Sequence, residues 1–200
     1  MNKKGKFILL SIDEFPDWLN QQKITRQIKL IQHHHTYSPD YSSWNNKPDP
    51  FYWCDQMEYY HTKQRKPPFI QIAQNITTFP TGEIMICRPF NIMPAGIFGA
   101  NQFGLCVENL GNFDDNKDKM AEEQKQTIIK LTAILLKKFN LKASPQSIVY
   151  HHWYDLDTGK MTGGIGNTKT CPGSAFFKGN SIATFEHGFL SEVIRELGMI

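Results

Sequence analysis

The sequence predicts a single α/β domain in which a central mixed β-sheet is flanked by helices. Short β-rich runs alternate with amphipathic segments along the 200 residues, and such alternation is typical of α/β layers. Two of the β-rich runs, at 29–36 and 148–152, end in consecutive histidines. A chain of this length can bury one substantial core. We therefore expect one domain over 1–200, with a strand order that the pattern alone does not determine.

Local signals define the elements of the first fifty residues. An apolar run predicts the first strand over 7–12, and Asp13 can cap a short helix over 14–21. The second strand covers 29–36 and carries the first group of histidines. The stretch 38–50 is rich in proline, aspartate and asparagine, which predicts a loop.

The middle and C-terminal elements follow from the same kinds of signal. A helix is predicted over 50–63, and it ends before Pro67 because proline cannot continue a helix. The β-rich runs 70–79 and 83–88 flank Gly82 and predict a hairpin. The remaining predicted elements are a loop over 91–101, an apolar strand over 103–110, a long helix with an apolar stripe over 119–139, a strand over 148–150, a glycine-rich loop over 157–168 and a final helix over 185–197.

Composition and charge exclude several classes of partner. A net charge of +3 and an isoelectric point near 8.6 are compatible with an anionic polymer such as a cell wall, but they are too weak to predict nucleic-acid binding. No stretch is long enough for membrane insertion. The N-terminal apolar run stops at Asp13 without a cleavage motif, so we expect cytoplasmic synthesis without a signal peptide. The four cysteines contain no CxxC pair, which favours reduced thiols.

Three residues form a candidate metal site. His34 and His151 lie at the ends of the two histidine strands, and Cys171 follows in a Lys-Thr-Cys-Pro-Gly motif. Alternation along a strand places His33 and His35 on the face opposite His34. We expect these two and His152 to be structural, or to orient a ligand through a hydrogen bond, rather than to bind the metal. A polar strand end with solvated histidines is the simpler interpretation of either group alone. Two nitrogens and one sulfur together suit a catalytic zinc, which keeps a fourth position for water.

Two further residues are candidates for catalysis. Glu108 interrupts an apolar strand, where an ionisable group is rarely buried without a partner or a function. Beside a zinc site it could act as general base and then as acid. Lys169, two residues before Cys171, could stabilise an oxyanion. The simpler interpretations are a glutamate paired with a nearby lysine and a solvated lysine; His61, at i+4 from Met57, fits either helix packing or a groove wall.

Seven short motifs carry a resemblance to a known family. They are His34-His35-Thr36, Phe79-Pro80-Thr81-Gly82, Arg88-Pro89-Phe90-Asn91, the run from Pro94 to Asn101, the run from Glu108 to Asp114, Tyr150-His151-His152 and Lys169-Thr170-Cys171-Pro172-Gly173. In this order they resemble the zinc-dependent N-acetylmuramoyl-L-alanine amidases, the family of amidase-type phage lysozymes and peptidoglycan recognition proteins. The resemblance runs from about residue 30 to 173, with an N-terminal strand and helix and a C-terminal helix as extensions.

The resemblance implies a function and a set of roles. The expected activity is hydrolysis of the amide between the lactyl group of N-acetylmuramic acid and L-alanine, with Zn²⁺ as cofactor and peptidoglycan or a muropeptide as partner. By motif position, the expected zinc ligands are His34, His151 and Cys171. The expected catalytic residues are Glu108 and Lys169, and the expected substrate-binding residues are His61 and Asn101. We expect the protein to act on the cell wall after release or export.

The sequence departs from the family pattern in three places. Gln74 stands where phage lysozymes carry a catalytic tyrosine, so the proton transfer falls to Glu108. Gly96 stands where many members carry a groove histidine. The segment between His151 and Cys171 is longer than usual, and we expect its glycine-rich tip to contact the stem peptide while Trp153 and Tyr154 pack its base.

Two other functions stay open at this point. The first is a non-catalytic muropeptide-binding or peptidoglycan-binding protein on the same fold, against which the complete ligand set argues. The second is a zinc hydrolase that acts on a different amide, since fold and site do not determine the substrate. A phage endolysin, a host autolysin and a recycling enzyme are all compatible with the sequence, and the oligomeric state is not predicted.

Overall fold

The seven strands form one mixed sheet in the computed structural model, which describes residues 1–200. The strands are β1 (Asn2–Lys4), β2 (Phe7–Leu10), β3 (Leu30–His35), β4 (Ile76–Thr78), β5 (Ile84–Ile86), β6 (Gly104–Asn109) and β7 (Ile148–Tyr150). Their order across the sheet is β1-β2-β5-β4-β6-β3-β7. Strands β4, β6, β3 and β7 are parallel, whereas β1, β2 and β5 pair antiparallel. The predicted mixed sheet is therefore confirmed.

Six α-helices accompany the sheet. They are α1 (Phe15–Asn20), α2 (Tyr41–Asn46), α3 (Pro50–Tyr59), α4 (Glu122–Lys138), α5 (Ile182–Phe185) and α6 (Ser191–Leu197). One turn of π-helix, Tyr60–Gln64, extends α3, and a second, Glu186–Leu190, joins α5 to α6. None of the helices has the length and apolar character needed to cross a membrane.

The side chains of β3 alternate between the two faces of the sheet. Ile31 and His33 face the larger core under α4, where His33 Nε2 lies 3.1 Å from Thr132 Oγ1. Gln32 and His34 face the opposite side, towards the loop before β6 and the candidate metal site. Strand β3 thus contributes Ile31 and His33 to the core on one face of the sheet, and it presents Gln32 and His34 on the opposite face.

Helices cover the two faces to different extents. On the first face, the predicted apolar stripe of α4 is buried, with Ile128, Leu131 and Leu135 inaccessible to solvent. On the second face, Cys54 and Met57 of α3 pack in a smaller core beneath the antiparallel strands. This smaller core leaves the carboxyl ends of the parallel strands uncovered, which is where open α/β sheets bind ligands.

Several predicted boundaries were wrong. The predicted loop 38–50 contains α2, which Asp40 caps by accepting a hydrogen bond from Ser43 N at 2.8 Å. Of the predicted strand 70–79 only Ile76–Thr78 joins the sheet, and the short β1 was not predicted. The hairpin between β4 and β5 is confirmed, and all four cysteines are free thiols, as predicted.

Candidate active site

Three different segments bring the predicted metal ligands together. His34 lies near the end of β3, and His151 follows directly on β7, the parallel neighbour of β3. Cys171 reaches the same point from the loop before α5. The ligand atoms of the three buried side chains all lie within 4.8 Å of one another, and His34 Nδ1 is 3.5 Å from Cys171 Sγ.

The chemistry of this trio fits a zinc ion. Burial and the neighbouring His151 hold the pKa of His34 well below its usual value, and burial with Lys169 lowers the pKa of His151 to about 4. Both rings are therefore neutral, which is the form that binds a metal. Burial and the adjacent Glu108 raise the pKa of Cys171. A thiolate at this position needs a cation beside it, and zinc would supply that charge.

Glu108 and Lys169 stand beside the trio. Glu108 on β6 is the register partner of His34 on β3, so the two side chains share one face of the sheet. Burial raises the pKa of Glu108 to about 8, and the ammonium of Lys169 opposes this shift. Lys169 itself is exposed at the rim. A carboxyl group with a raised pKa and a cation thus line the same cavity as the trio.

All five residues line one cavity of about 680 Å³. Glu108 is the only carboxylate among its lining residues. The walls also contain residues that the sequence did not single out, which are Tyr37, Arg65, Phe69 and Cys106. They come from three separate segments, and no local signal in the sequence marks them. The cavity is open to solvent and can admit an extended substrate to the metal ligands.

Comparison with known proteins identifies the family. Residues 24–174 match the N-acetylmuramoyl-L-alanine amidase family. The chain belongs to this family. No curated protein matches the sequence significantly.

Solved structures of this fold include recognition proteins and an amidase. Drosophila PGRP-LB is 17% identical, with 82% of this chain and 83% of that chain covered and a TM-score of 0.58. A mutant of Drosophila PGRP-LB in complex with tracheal cytotoxin is also 17% identical, with the same coverages and a TM-score of 0.56. The N-acetylmuramoyl-L-alanine amidase LysC from Clostridium intestinale is 19% identical, with 76% and 80% covered and a TM-score of 0.53. Identities this low establish a shared fold and nothing finer.

The two predicted substrate-binding residues have different positions in this amidase-family chain. His61 lines the cavity, as expected. Asn101 does not line it: its Oδ1 accepts hydrogen bonds from Gly96 N at 2.9 Å and from Gln32 Nε2 at 3.4 Å. Asn101 therefore holds the loop over 94–101 in place, and its position gives no support to the predicted contact with substrate.

Gln74, at the place of the phage-lysozyme tyrosine, is fully buried outside the cavity. Its Nε2 donates to Thr77 Oγ1 at 3.0 Å. Thr77 is the register partner of Glu108 on the adjacent strand. Gln74 thus holds Thr77 beside Glu108 and contributes no side-chain atom to the cavity.

The long segment before Cys171 is only partly as predicted. Trp153 and Tyr154 are buried at its base, as expected. Its tip lies outside the cavity, where Gly159 packs so closely against Gly99 that a Cβ on Gly99 would lie 1.9 Å from Gly159 O. The expected contact between the glycine-rich tip and the stem peptide stays a prediction. Four hydrogen bonds to the Asp155 carboxylate, from backbone and hydroxyl groups of the loop, give the segment a fixed shape.

Gly96, at the place of the family's groove histidine, covers the edge of His34. A Cβ at Gly96 would lie 2.3 Å from Gln32 Oε1 and 3.0 Å from His34 Nε2. Gln32 is fully buried and accepts a hydrogen bond from Ile97 N at 3.1 Å, so it has no room to withdraw. The structure requires glycine at this position.

We expect Gly96→Ala to destabilise the protein by about 1–3 kcal/mol, the usual cost of overpacking. The added methyl would push Gln32 from its hydrogen bonds and shift His34, so zinc affinity should fall as well. Thermal unfolding with and without zinc measures both effects. Gly198→Ala is the matched control, because its Cβ would approach no atom closer than 3.4 Å. Equal unfolding temperatures for the two variants would contradict this interpretation.

Proposed function

We propose that the chain is a zinc-dependent N-acetylmuramoyl-L-alanine amidase of peptidoglycan. The bond cleaved would be the amide between the lactyl group of N-acetylmuramic acid and L-alanine. The observation that carries the proposal is the convergence of His34, His151 and Cys171 within 4.8 Å, at a cavity that also contains Glu108 and Lys169. A protein that only bound muropeptides would not need this set of ligands.

Zinc would be held by the two imidazoles and the thiolate. When bound, it would supply Lewis acidity and lower the pKa of water to about 7. Glu108 would take up a proton at its carboxylate and return it to the nitrogen of the leaving L-alanine. Positive charge favours the carboxylate form, so Lys169 and a cation in the same cavity both lower the pKa of Glu108 from its raised value. The ammonium of Lys169 would stabilise the negative charge that develops on the lactyl carbonyl oxygen.

The substrate class is inferred from the family and from the fold neighbours. One of these neighbours, the PGRP-LB mutant, was solved in complex with tracheal cytotoxin. The open cavity of this chain has aromatic side chains such as Tyr37, Tyr60 and Phe69 on its walls, which suit contacts with a partly apolar ligand. We propose that peptidoglycan or a muropeptide binds here and that the protein reaches the cell wall after release or export.

The rival function is muropeptide binding without catalysis. One observation favours it, namely that Gln74 has replaced the tyrosine of phage lysozymes and does not reach the cavity. Digestion of purified peptidoglycan by the zinc-loaded protein separates the two functions. An amidase releases peptides with new N-terminal L-alanine and leaves the glycan strands intact. Binding to peptidoglycan without any such product would establish the rival.

A further inference from the structure

A basic segment at residues 63–66 borders the cavity where α3 ends. It contains Lys63, Arg65 and Lys66, and it begins in the π-helical turn Tyr60–Gln64. Arg65 lines the cavity, and Lys63 and Lys66 are exposed to solvent. None of the three residues belongs to the seven family motifs or takes part in the proposed chemistry at the metal trio. The family resemblance thus gives no function to these three cations.

No carboxylate neutralises the basic segment. None of its three cations takes part in a salt bridge. The acidic residues that precede it on α3 are already paired with lysines of the N-terminal hairpin. Asp55 pairs with Lys4 at 3.3 Å. Glu58 pairs with Lys6. Inside the cavity, Glu108 is the only carboxylate. The segment therefore keeps its positive charge available for a ligand.

The guanidinium group of Arg65 is held in place while most of its donors stay free. Its Cζ lies 3.9 Å from the centroid of the Phe69 ring, and its Nη1 donates a hydrogen bond to Pro67 O. Nε and Nη2 have no acceptor in the protein. Stacking fixes the plane of the group, and its free N–H groups match the spacing of two phosphate or carboxylate oxygens. Arg65 is thus positioned to bind an anion at the rim of the cavity.

The three positive charges lie close enough to act together on a polyanion. Four consecutive residues span at most about 11 Å from first to last Cα. This distance is comparable to the Debye length, which is about 10 Å at 0.1 M salt. Lysine ammonium groups attract phosphate as point charges, and a guanidinium group adds directional donors. Neutral sugars and amides gain little from such a field, so the segment suits a polymer with repeated negative charges.

We propose that the basic segment binds phosphodiester groups of an anionic wall polymer that is attached to the glycan, while the neighbouring cavity holds the scissile amide. The proposal rests on the proposed function, which supplies the cell wall as the setting. Once the polymer is bound at residues 63–66, binding of the same glycan in the cavity becomes intramolecular, which raises the effective concentration of substrate. The basic segment would thus direct the protein to polymer-bearing parts of the wall.

Binding to a purified polymer tests the segment without hydrolysis. The zinc-loaded protein should bind soluble poly(glycerol phosphate). The double variant Lys63→Gln/Lys66→Gln should raise Kd roughly 3- to 10-fold, since each exposed ion pair contributes modestly. Arg65→Gln should also raise Kd, and Arg65→Lys, which keeps the charge, should recover part of the loss. Calorimetry measures Kd, and zinc content should be the same in all variants.

The matched control removes the same charge from the other face of the sheet. Lys137 and Lys138 are exposed lysines of α4, which packs on the face opposite α3. The variant Lys137→Gln/Lys138→Gln should bind poly(glycerol phosphate) with nearly the Kd of the parent. An equal rise of Kd in the two double variants would mean that only net charge matters. That result, or an unchanged Kd in Lys63→Gln/Lys66→Gln, would overturn the proposal.

Removal of the polymer from the wall separates the two sources of negative charge. Hydrofluoric acid cleaves the phosphodiesters and leaves the carboxylates of the stem peptides. In the inactive Glu108→Gln background, Lys63→Gln/Lys66→Gln should bind polymer-bearing wall more weakly than the parent, and this difference should disappear on stripped wall. A difference that persists on stripped wall would assign the segment to stem-peptide carboxylates and overturn the proposal. High salt should weaken binding of the parent to polymer-bearing wall most strongly.

Hydrolysis is a separate measurement. A protein that binds poly(glycerol phosphate) through the basic segment but never releases L-alanine peptides would support this proposal and refute the amidase function. A protein that hydrolyses stripped wall, with a Kd for the polymer that does not respond to Lys63→Gln/Lys66→Gln, would refute this proposal and support the amidase function.

Discussion

Replacing Glu108 by glutamine is expected to lower turnover on peptidoglycan by roughly 10²- to 10⁴-fold, the range for loss of a general acid–base group. Glutamine keeps the shape of the side chain but cannot exchange a proton. Glu108 is the only carboxylate that lines the cavity, so no neighbour can replace it. Zinc content and Kd for a muramyl peptide should stay close to wild type. Product release from purified peptidoglycan and metal analysis measure these quantities.

Gln74→Ala serves as the comparison for this variant. Gln74 is buried outside the cavity and supports Thr77, so its truncation should cost stability and only a small part of turnover. A large loss of turnover in Gln74→Ala with wild-type turnover in Glu108→Gln would move the proton transfer away from Glu108.

The raised pKa of Glu108 also predicts how the stability of the metal-free protein depends on pH. Burial raises the pKa to about 8 from an ordinary value of 4.5, so between these values the folded chain retains a proton that the unfolded chain has lost. Unfolding then releases that proton, and stability falls as pH rises from 4.5 to 8. Glu108→Gln removes this dependence. Its unfolding temperature should exceed that of wild type at pH 8 and match it at pH 4; an equal difference at both pH values would contradict the shift.

The sequence predicted that His34 and His151 lie close together because the periodicity of strands is visible in a single sequence. An apolar β-rich run that ends in histidine, at His34 and again at His151, fixes both the element and the end of the sheet at which the ligand lies. Alternation then separates His34 from the structural His33. These are local properties of the chain, and the structure confirms them.

The cavity walls could not be predicted in the same way. Asn101 belongs to a motif that runs beside the site, yet the direction of its side chain depends on hydrogen bonds from Gly96 and Gln32, and Gln32 is far away in the sequence. Arg65 reaches the cavity only because a π-helical turn extends α3. Likewise the helix α2 was missed because its proline-rich surroundings are typical of loops. Tertiary contacts determine which side chains reach the cavity and whether a short segment becomes helical. A single sequence does not show these contacts.

Replacing Cys171 by serine is expected to remove most of the bound zinc and abolish turnover. A neutral hydroxyl is a much weaker zinc ligand than a thiolate, and only three protein ligands are available. Metal analysis after dialysis and peptidoglycan digestion measure the two losses. Removal of zinc from wild type by a chelator should abolish turnover in the same way, and added zinc should restore it.

Cys106→Ala is the matched control for Cys171→Ser. Cys106 is also a buried thiol on the cavity wall, but it lies outside the metal trio. It should keep full zinc occupancy. Full occupancy in Cys171→Ser, or an equal loss in Cys106→Ala, would remove Cys171 from the site.

The fold itself should survive the loss of Cys171, since this residue is not part of either hydrophobic core. The metal-free forms of wild type and Cys171→Ser should therefore unfold at similar temperatures. The trio is assembled only in the folded chain, so zinc should raise the unfolding temperature of wild type by mass action, and the increase should grow with zinc concentration. The same titration should have little effect on Cys171→Ser. An equal increase in both proteins would mean that zinc stabilises the chain at some other position. The trio of His34, His151 and Cys171 would then not be the zinc site.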